Sequence, residues 1–141
     1  MEIKFTVPGQ PKGKQRPRIC RINGRNVTYT PRQTIEYEKL VRVRYNAVSK
    51  VKFQKDEPLE ISILALFSIP QHASKKLKQL MLNGDVLPTK KPDSDNIIKI
   101  ILDALNGVAY HDDNQVCRVY FEKMYAENPE IRILIRNIKE N

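Results

Sequence analysis

Apolar and polar residues follow two distinct periodicities along this chain. Strict alternation is typical of a half-buried strand, whereas apolar residues spaced three and four apart are typical of an amphipathic helix. Strand patterns occupy residues 2–7, 19–22, 26–29, 59–69, 116–125 and 131–138. Helical patterns begin after Thr30-Pro31, cover 73–82 as a short basic helix, and cover about 96–106 as an apolar helix. Asn23-Gly24 joins the second and third strands and is a strong hairpin-turn signal.

The first predicted helix shows where the core is expected. Its apolar residues recur at helical spacing and are Tyr37, Leu40, Val41, Tyr45, Val48 and Val51. The helix is therefore predicted to continue to about residue 51. This helix and the C-terminal strands are the two candidate interfaces of a dimer.

The order of elements is β-β-β-α-β-α-α-β-β, with no internal repeat and no linker. This order predicts an α+β domain over residues 1–141, in which helices pack on a mixed or antiparallel sheet. A chain of 141 residues fits one domain with a small core, and dimerisation would bury more apolar surface.

The charge balance indicates a polyanionic partner. Lys and Arg number 25 against 16 Asp and Glu, which gives a formal charge of +9 and a pI near 9.6. Part of this charge lies in an N-terminal basic loop that has little to bury. Its cations Lys12, Lys14, Arg16 and Arg18 are predicted to contact phosphates of such a partner.

The apolar runs indicate the cellular compartment of the protein, and the cysteines indicate whether it has a zinc site. No run approaches the length of a membrane span, and no signal-peptide pattern is present, so a cytoplasmic location without membrane contact is expected. Cys20 and Cys117 lie far apart and form no C-x-x-C pair, which argues against zinc. Both are predicted to be reduced thiols that pack as small hydrophobes.

The acidic segment around Asp93 and Asp95 is the most informative part of the chain. The two residues directly precede the apolar helix, so their carboxylates are expected to converge on one cation, and Mg²⁺ prefers such ligands. Asp112-Asp113 precedes a strand and offers a third carboxylate. An alternative is purely structural, because Ser94 or Asp95 can cap the helix and Asp-Asp-Asn is common in turns.

The apolar helix has one polar stripe. Asn96, Lys99, Asp103 and Asn106 follow each other at spacings of three and four, so they share a face. A polar stripe on an otherwise apolar helix predicts that this face meets a polar site. Lys99 is one turn from the acidic pair and is expected to reach the same site, although Lys99 and Asp103 also suit a simple surface ion pair.

These motifs resemble the RusA family of Holliday junction resolvases. The resemblance rests on Lys91-Pro92-Asp93-Ser94-Asp95-Asn96, Lys99, Leu102 to Gly107, Asp112-Asp113 with Gln115-Val116, Lys14 to Arg18 and Tyr29-Thr30-Pro31. It therefore spans most of the chain. It implies a RusA-like fold and a homodimer that makes paired nicks in four-way DNA junctions.

The resemblance also implies roles for individual residues. Asp93, Asp95 and Asp113 correspond to catalytic residues that bind Mg²⁺, for which Mn²⁺ is expected to substitute, and Lys99 corresponds to an assisting lysine. The candidates for residues that surround the metal ligands are Asp112, Asn96 and Asp103. No small-molecule cofactor is expected. Two rival functions are a nuclease acting on flaps or forks and a non-catalytic DNA-binding module. Pure phosphate binding gains nothing from clustered carboxylates, which argues against the second.

Overall fold

The computed structural model describes residues 1–138, and the end of the predicted 1–141 domain lies outside this range. The elements in chain order are β1 (Glu2–Pro8), β2 (Arg18–Ile22), β3 (Arg25–Tyr29), α1 (Arg32–Val48), β4 (Leu59–Ser68), α2 (Lys75–Leu82), α3 (Ser94–Leu105), β5 (Val116–Ala126) and β6 (Glu130–Asn137). The predicted α+β class and the predicted order of elements are confirmed.

The main sheet is mixed and has the strand order β1-β6-β4-β5. β4 pairs with β6 in antiparallel fashion and with β5 in parallel. Parallel strands cannot be joined by a tight turn, so α2 and α3 form the crossover between β4 and β5. β2 and β3 form a separate two-stranded sheet, joined at the predicted Asn23-Gly24 turn. Where the sequence left a mixed or an antiparallel sheet open, the main sheet is mixed.

The core lies between one face of the main sheet and the helices α1 and α3. Alternate residues of β4 from Leu59 to Phe67 point into it and are buried. α3 contributes Ile97, Ile100, Ile101, Ala104 and Leu105, all of which are fully buried. Burial of a large aliphatic side chain contributes about 1.5–3 kcal/mol, so α3 is firmly fixed on the sheet. Its polar residues are thereby held in one defined orientation.

The predicted end of the first helix is wrong by one turn. α1 ends at Val48, which is 55% exposed, and Ser49 takes an extended conformation. The Ser49 hydroxyl accepts a hydrogen bond from the Val51 N–H at 3.0 Å. Side chains that bond nearby backbone in this way compete with helix, so Val51 lies in a loop and not on the helical stripe.

The cysteine prediction is correct in one respect and wrong in another. Both thiols are free among the described residues, but Cys117 is exposed and Cys20 is half-buried. Cys117 lies near the start of β5, where the side chains of residues 117–120 are all exposed. Within residues 1–138, no helix is long and apolar enough to cross a membrane.

Candidate active site

The polar stripe of α3 forms the floor of the candidate site. Asp95 lies in the first turn of α3, and Lys99, Asp103 and Asn106 follow on the same side. Contacts from the basic loop and from the segment after α3 converge on this stripe. The prediction that the stripe faces polar groups is therefore confirmed by the contacts of Asp103 with Lys14 and of Asn106 with Asp113.

Asp93 stands at the N-terminal end of the stripe. It occupies the N-cap position of α3, but its side chain makes no capping bond to the helix backbone. Asp93 Oδ1 instead accepts a hydrogen bond from the Asn96 side chain at 2.8 Å. That bond is the main cause that lowers the pKa of Asp93, and the Asp95 side chain and Lys91 lower it further. Helix capping by Ser94 or Asp95 was the wrong alternative, and the Asp93 carboxylate remains an anion open to a ligand.

Lys123 fixes the loop that delivers Asp93. Its ammonium donates hydrogen bonds to the carbonyl oxygens of Lys90 at 2.7 Å and Pro92 at 3.0 Å. The same ammonium lies 5.0 Å from the centroid of the Phe67 ring, a favourable cation–π distance. β5 thus holds the backbone immediately before Asp93 against the sheet.

Asp113 lies at the other end of the stripe, where two hydrogen bonds join it to Asn106. The Asp113 N–H donates to Asn106 Oδ1 at 2.8 Å, and Asn106 Nδ2 donates to Asp113 Oδ2 at 3.2 Å. Burial raises the pKa of the neighbouring Tyr110, and the charges of Asp113, Asp103 and Asp112 raise it further. The turn that carries Asp113 is therefore fixed to the last polar residue of the stripe, Asn106.

Asp112 and Gln115 shape the Asp113 turn. Asp112 Oδ1 accepts from the Asn114 N–H at 2.9 Å, which caps the short 3₁₀ turn Asp113–Gln115. The buried Gln115 side chain accepts from the N–H groups of His111 and Asp112, and it donates to the carbonyls of Gln54 and Glu57. Gln115 thus ties the turn to the loop before β4, and Asp112 acts as a cap.

Replacement of Gln115 with Ala is expected to lower the free energy of unfolding by about 2–4 kcal/mol, because buried backbone groups lose their partners. Urea unfolding of wild type and variant measures the difference. Gln71→Ala, at an exposed loop position, is the matched control and is expected to change stability little. A loss below about 1 kcal/mol would show that water replaces these bonds.

The basic loop contacts the middle of the stripe through the side chain of Lys14. Its ammonium lies 3.1 Å from Glu38 Oε1 and 3.2 Å from Asp103 Oδ2, and its side chain is only 20% exposed. Lys99 lies 3.7 Å from the same Asp103 oxygen but is 61% exposed. Lys14 is thus directed to the chain's own carboxylates, whereas Lys99 remains accessible to a ligand.

A groove of about 730 Å³ opens beside Asp93. Its walls are the basic loop and the start of α1 on one side and Lys90 to Asp93 on the other. Lys12 lines it and is exposed, while Arg16 and Arg18 are exposed farther along the chain. The groove is therefore positively charged, except at the Asp93 carboxylate.

The three predicted metal ligands are not assembled in one protomer. Within residues 1–138, no group of three or more His, Cys, Asp or Glu side chains is close enough to hold a metal ion. Asp93 and Asp95 lie together, but Asp113 is bonded to Asn106, about 15 Å along the helix axis from Asn96 at 1.5 Å per residue. A protomer therefore offers a pair of carboxylates at one end of α3 and a third at the other.

Sequence reasoning missed the supporting roles of Lys123, Glu38 and Gln115. Lys123 carried a readable signal, because it occupies a position of β5 whose neighbours Phe121 and Tyr125 are apolar and partly buried. Glu38 carried none, since its partner Lys14 lies 24 residues away.

Comparison with known proteins identifies the family of this chain. Residues 8–136 match the family described as endodeoxyribonuclease RusA. A Bacillus subtilis (strain 168) relative, the uncharacterized protein YqaN, is 33% identical over 96% of both chains. A Lactococcus phage r1t relative, named crossover junction endodeoxyribonuclease rusA, is 27% identical over 97% of this chain and 98% of its own. Because the match covers nearly all of the described residues, this chain belongs to the RusA family of endodeoxyribonucleases.

Proposed function

We propose that this protein is a magnesium-dependent, structure-specific endonuclease that resolves four-way DNA junctions by paired nicks. The observation that carries the proposal is Asp93 in the wall of a positively charged groove, with Asp95 two residues on in the first turn of α3. The phage relative is named as a crossover junction endodeoxyribonuclease. Residues 1–141 act as one domain in this proposal, and two such chains form the working homodimer.

The residues present fit a magnesium ion. Mg²⁺ takes one or two carboxylates and completes its shell with water and phosphate oxygens. Asp93 and Asp95 supply that pair, and the lowered pKa of Asp93 keeps its carboxylate ionised. A bound Mg²⁺ supplies Lewis-acid stabilisation of the charge that develops on the phosphate. Mn²⁺ suits the same oxygen ligands.

The remaining residues of the site position these carboxylates and the DNA. Asn96 orients Asp93, and Lys123 fixes the loop before it. Lys99 is one turn from Asp95 and largely exposed, so its ammonium is free to stabilise charge on a phosphate in the transition state. Lys12, Arg16 and Arg18 contribute phosphate contacts that position the junction.

The separation of Asp113 from Asp93 and Asp95 along α3 gives a chemical reason for a homodimer. Asp113 is remote from Asp93 and Asp95 in its own chain. A two-fold axis beside the middle of the polar stripe sets the stripes of two chains antiparallel, and each carboxylate pair then meets the partner's third carboxylate. Two equivalent sites result, which is the number that paired cleavage of a junction requires.

Replacement of Lys123 with Met is expected to slow cleavage roughly 10- to 100-fold, because the loop carrying Asp93 loses both of its anchors. Junction binding is expected to change little. Single-turnover cleavage and gel-shift assays on the same preparation measure the two effects. Lys123→Arg keeps the charge and is expected to restore part of the rate. Equal rates for wild type and Lys123→Met would remove Lys123 from the site.

Cleavage of matched substrates tests the proposed function. A four-way junction, a flap, a fork and a linear duplex of shared sequence are incubated with Mg²⁺ or with a chelator. Paired nicks confined to the four-way junction and dependent on Mg²⁺ are the expected result. Preference for flaps or forks would assign another branched substrate. Junction binding without cleavage at any divalent ion would assign a non-catalytic binding module.

A further inference from the structure

The β2–β3 hairpin stands away from the body of the protein. It forms its own sheet and makes no pairing with the main sheet. Every strand residue except the half-buried Cys20 is exposed, including Ile19 at 70% and Ile22 at 53%. An isolated two-stranded hairpin is at best marginally stable in water. The exposed apolar side chains therefore indicate that the hairpin meets a partner.

The charges of this region match a polyanion. Residues 3–35 contain no Asp or Glu. The same stretch contains eight cations, which are Lys4, Lys12, Lys14, Arg16, Arg18, Arg21, Arg25 and Arg32. Within the described residues, Arg18, Arg21 and Arg25 of the hairpin make no ion pair. Their guanidinium groups are suited to phosphate, which they can bind with two parallel hydrogen bonds.

The segment that leads into the hairpin, residues 13–14, is fixed beside the carboxylate pair. The Lys14 N–H donates to the Asn96 carbonyl at 2.8 Å, at the first turn of α3. A Cβ added to Gly13 would lie 2.8 Å from Pro92 Cβ, so only glycine permits this close approach. A strand of five residues extends about 17 Å, which is about half a turn of B-DNA. DNA held at Asp93 therefore passes within reach of the hairpin.

We propose that this hairpin is a DNA-binding arm that enters the major groove of the duplex next to the cut phosphate. The proposal rests on the proposed function and assigns an element to substrate capture. The major groove admits a two-stranded ribbon. Arg18, Arg21 and Arg25 bind phosphates along the groove. Ile22 shares one face of the ribbon with Val27, and these two contact base edges such as thymine methyl groups. A second copy of the chain is the less suitable occupant, because arms of like charge repel each other.

The double variant Arg21→Ala/Arg25→Ala tests the arm. Its affinity for a four-way junction is measured over a range of salt concentrations, with Ca²⁺ in place of Mg²⁺ to prevent cleavage. Each lost phosphate contact flattens the slope of log K against log salt by about 0.9, so a loss of about 1.8 is expected for each engaged arm. Lys50→Ala/Lys52→Ala is the matched control, because it removes the same charge beyond the C-terminal end of α1, and α1 extends about 25 Å from its N-terminal end, which follows β3. The control slope is expected to stay near that of wild type.

A photoreactive p-benzoylphenylalanine in place of Ile22 identifies the occupant directly. Crosslinking to DNA supports the arm, whereas crosslinking to a second protein chain overturns it. An equal salt slope for the arm variant and the lysine control also overturns it while leaving the proposed function intact. Failure of wild type to bind the junction overturns the proposed function and the arm together. Thermal melting verifies that the variants fold, as expected for exposed positions.

Discussion

Asp95→Asn is expected to reduce junction cleavage by more than about 100-fold, because loss of a residue that merely supports a metal ligand already costs 10–100-fold. The amide keeps the size of the side chain but is a poorer Mg²⁺ ligand. Asp93→Asn is expected to behave in the same way. Binding should be retained or strengthened in both variants, since each removes a negative charge from a site beside a positively charged groove.

Nicking and gel-shift assays on one preparation separate the two effects. Asp85→Asn, at an exposed position in the loop before the site, serves as the control and should cleave like wild type. Full activity of Asp93→Asn or Asp95→Asn would remove that residue from the metal site. Loss of binding together with cleavage would indicate a role in folding or DNA contact instead.

Heterodimers of Asp95→Asn and Asp113→Asn chains are expected to regain nicking that neither homodimer has. In a shared site, the carboxylate pair comes from one chain and the third carboxylate from its partner. The mixed dimer then contains one site with both defects and one site with neither. It should nick one strand of the junction, and paired resolution should remain rare.

Co-expression with two different affinity tags isolates the mixed dimer, and strand-specific labels on the junction report the nick. A heterodimer of wild-type and Asp95→Asn chains is the matched control, since it also contains one intact site. A mixed dimer as inactive as its parent homodimers would show that each site is built from a single chain. Light scattering should give twice the 16.4 kDa chain mass, and a monomeric active species would also contradict the shared site.

The amino-acid sequence by itself determined the elements and the residues of the candidate site. The period-two pattern of β4 and the apolar repeat of α3 are strong because both elements are buried along their length. Local signals also predicted the Asn23-Gly24 turn and the polar stripe of α3. The end of α1 was misjudged by one turn, because a single hydroxyl bond from Ser49 outweighs the periodicity that continues to Val51.

Only the tertiary structure decided how far apart the carboxylates lie. In sequence, Asp113 follows the acidic pair after one helix, and nothing local distinguishes convergence from separation. Because α3 is fixed on the sheet by its buried aliphatic face, its length places Asp113 at the opposite end from Asp93. The contacts of Lys14 with Asp103 and of Lys123 with the Pro92 carbonyl were likewise decided by packing, since they join residues 89 and 31 positions apart. Such long-range pairs depend on which strands and helices become neighbours, and that is determined by burial of the whole core.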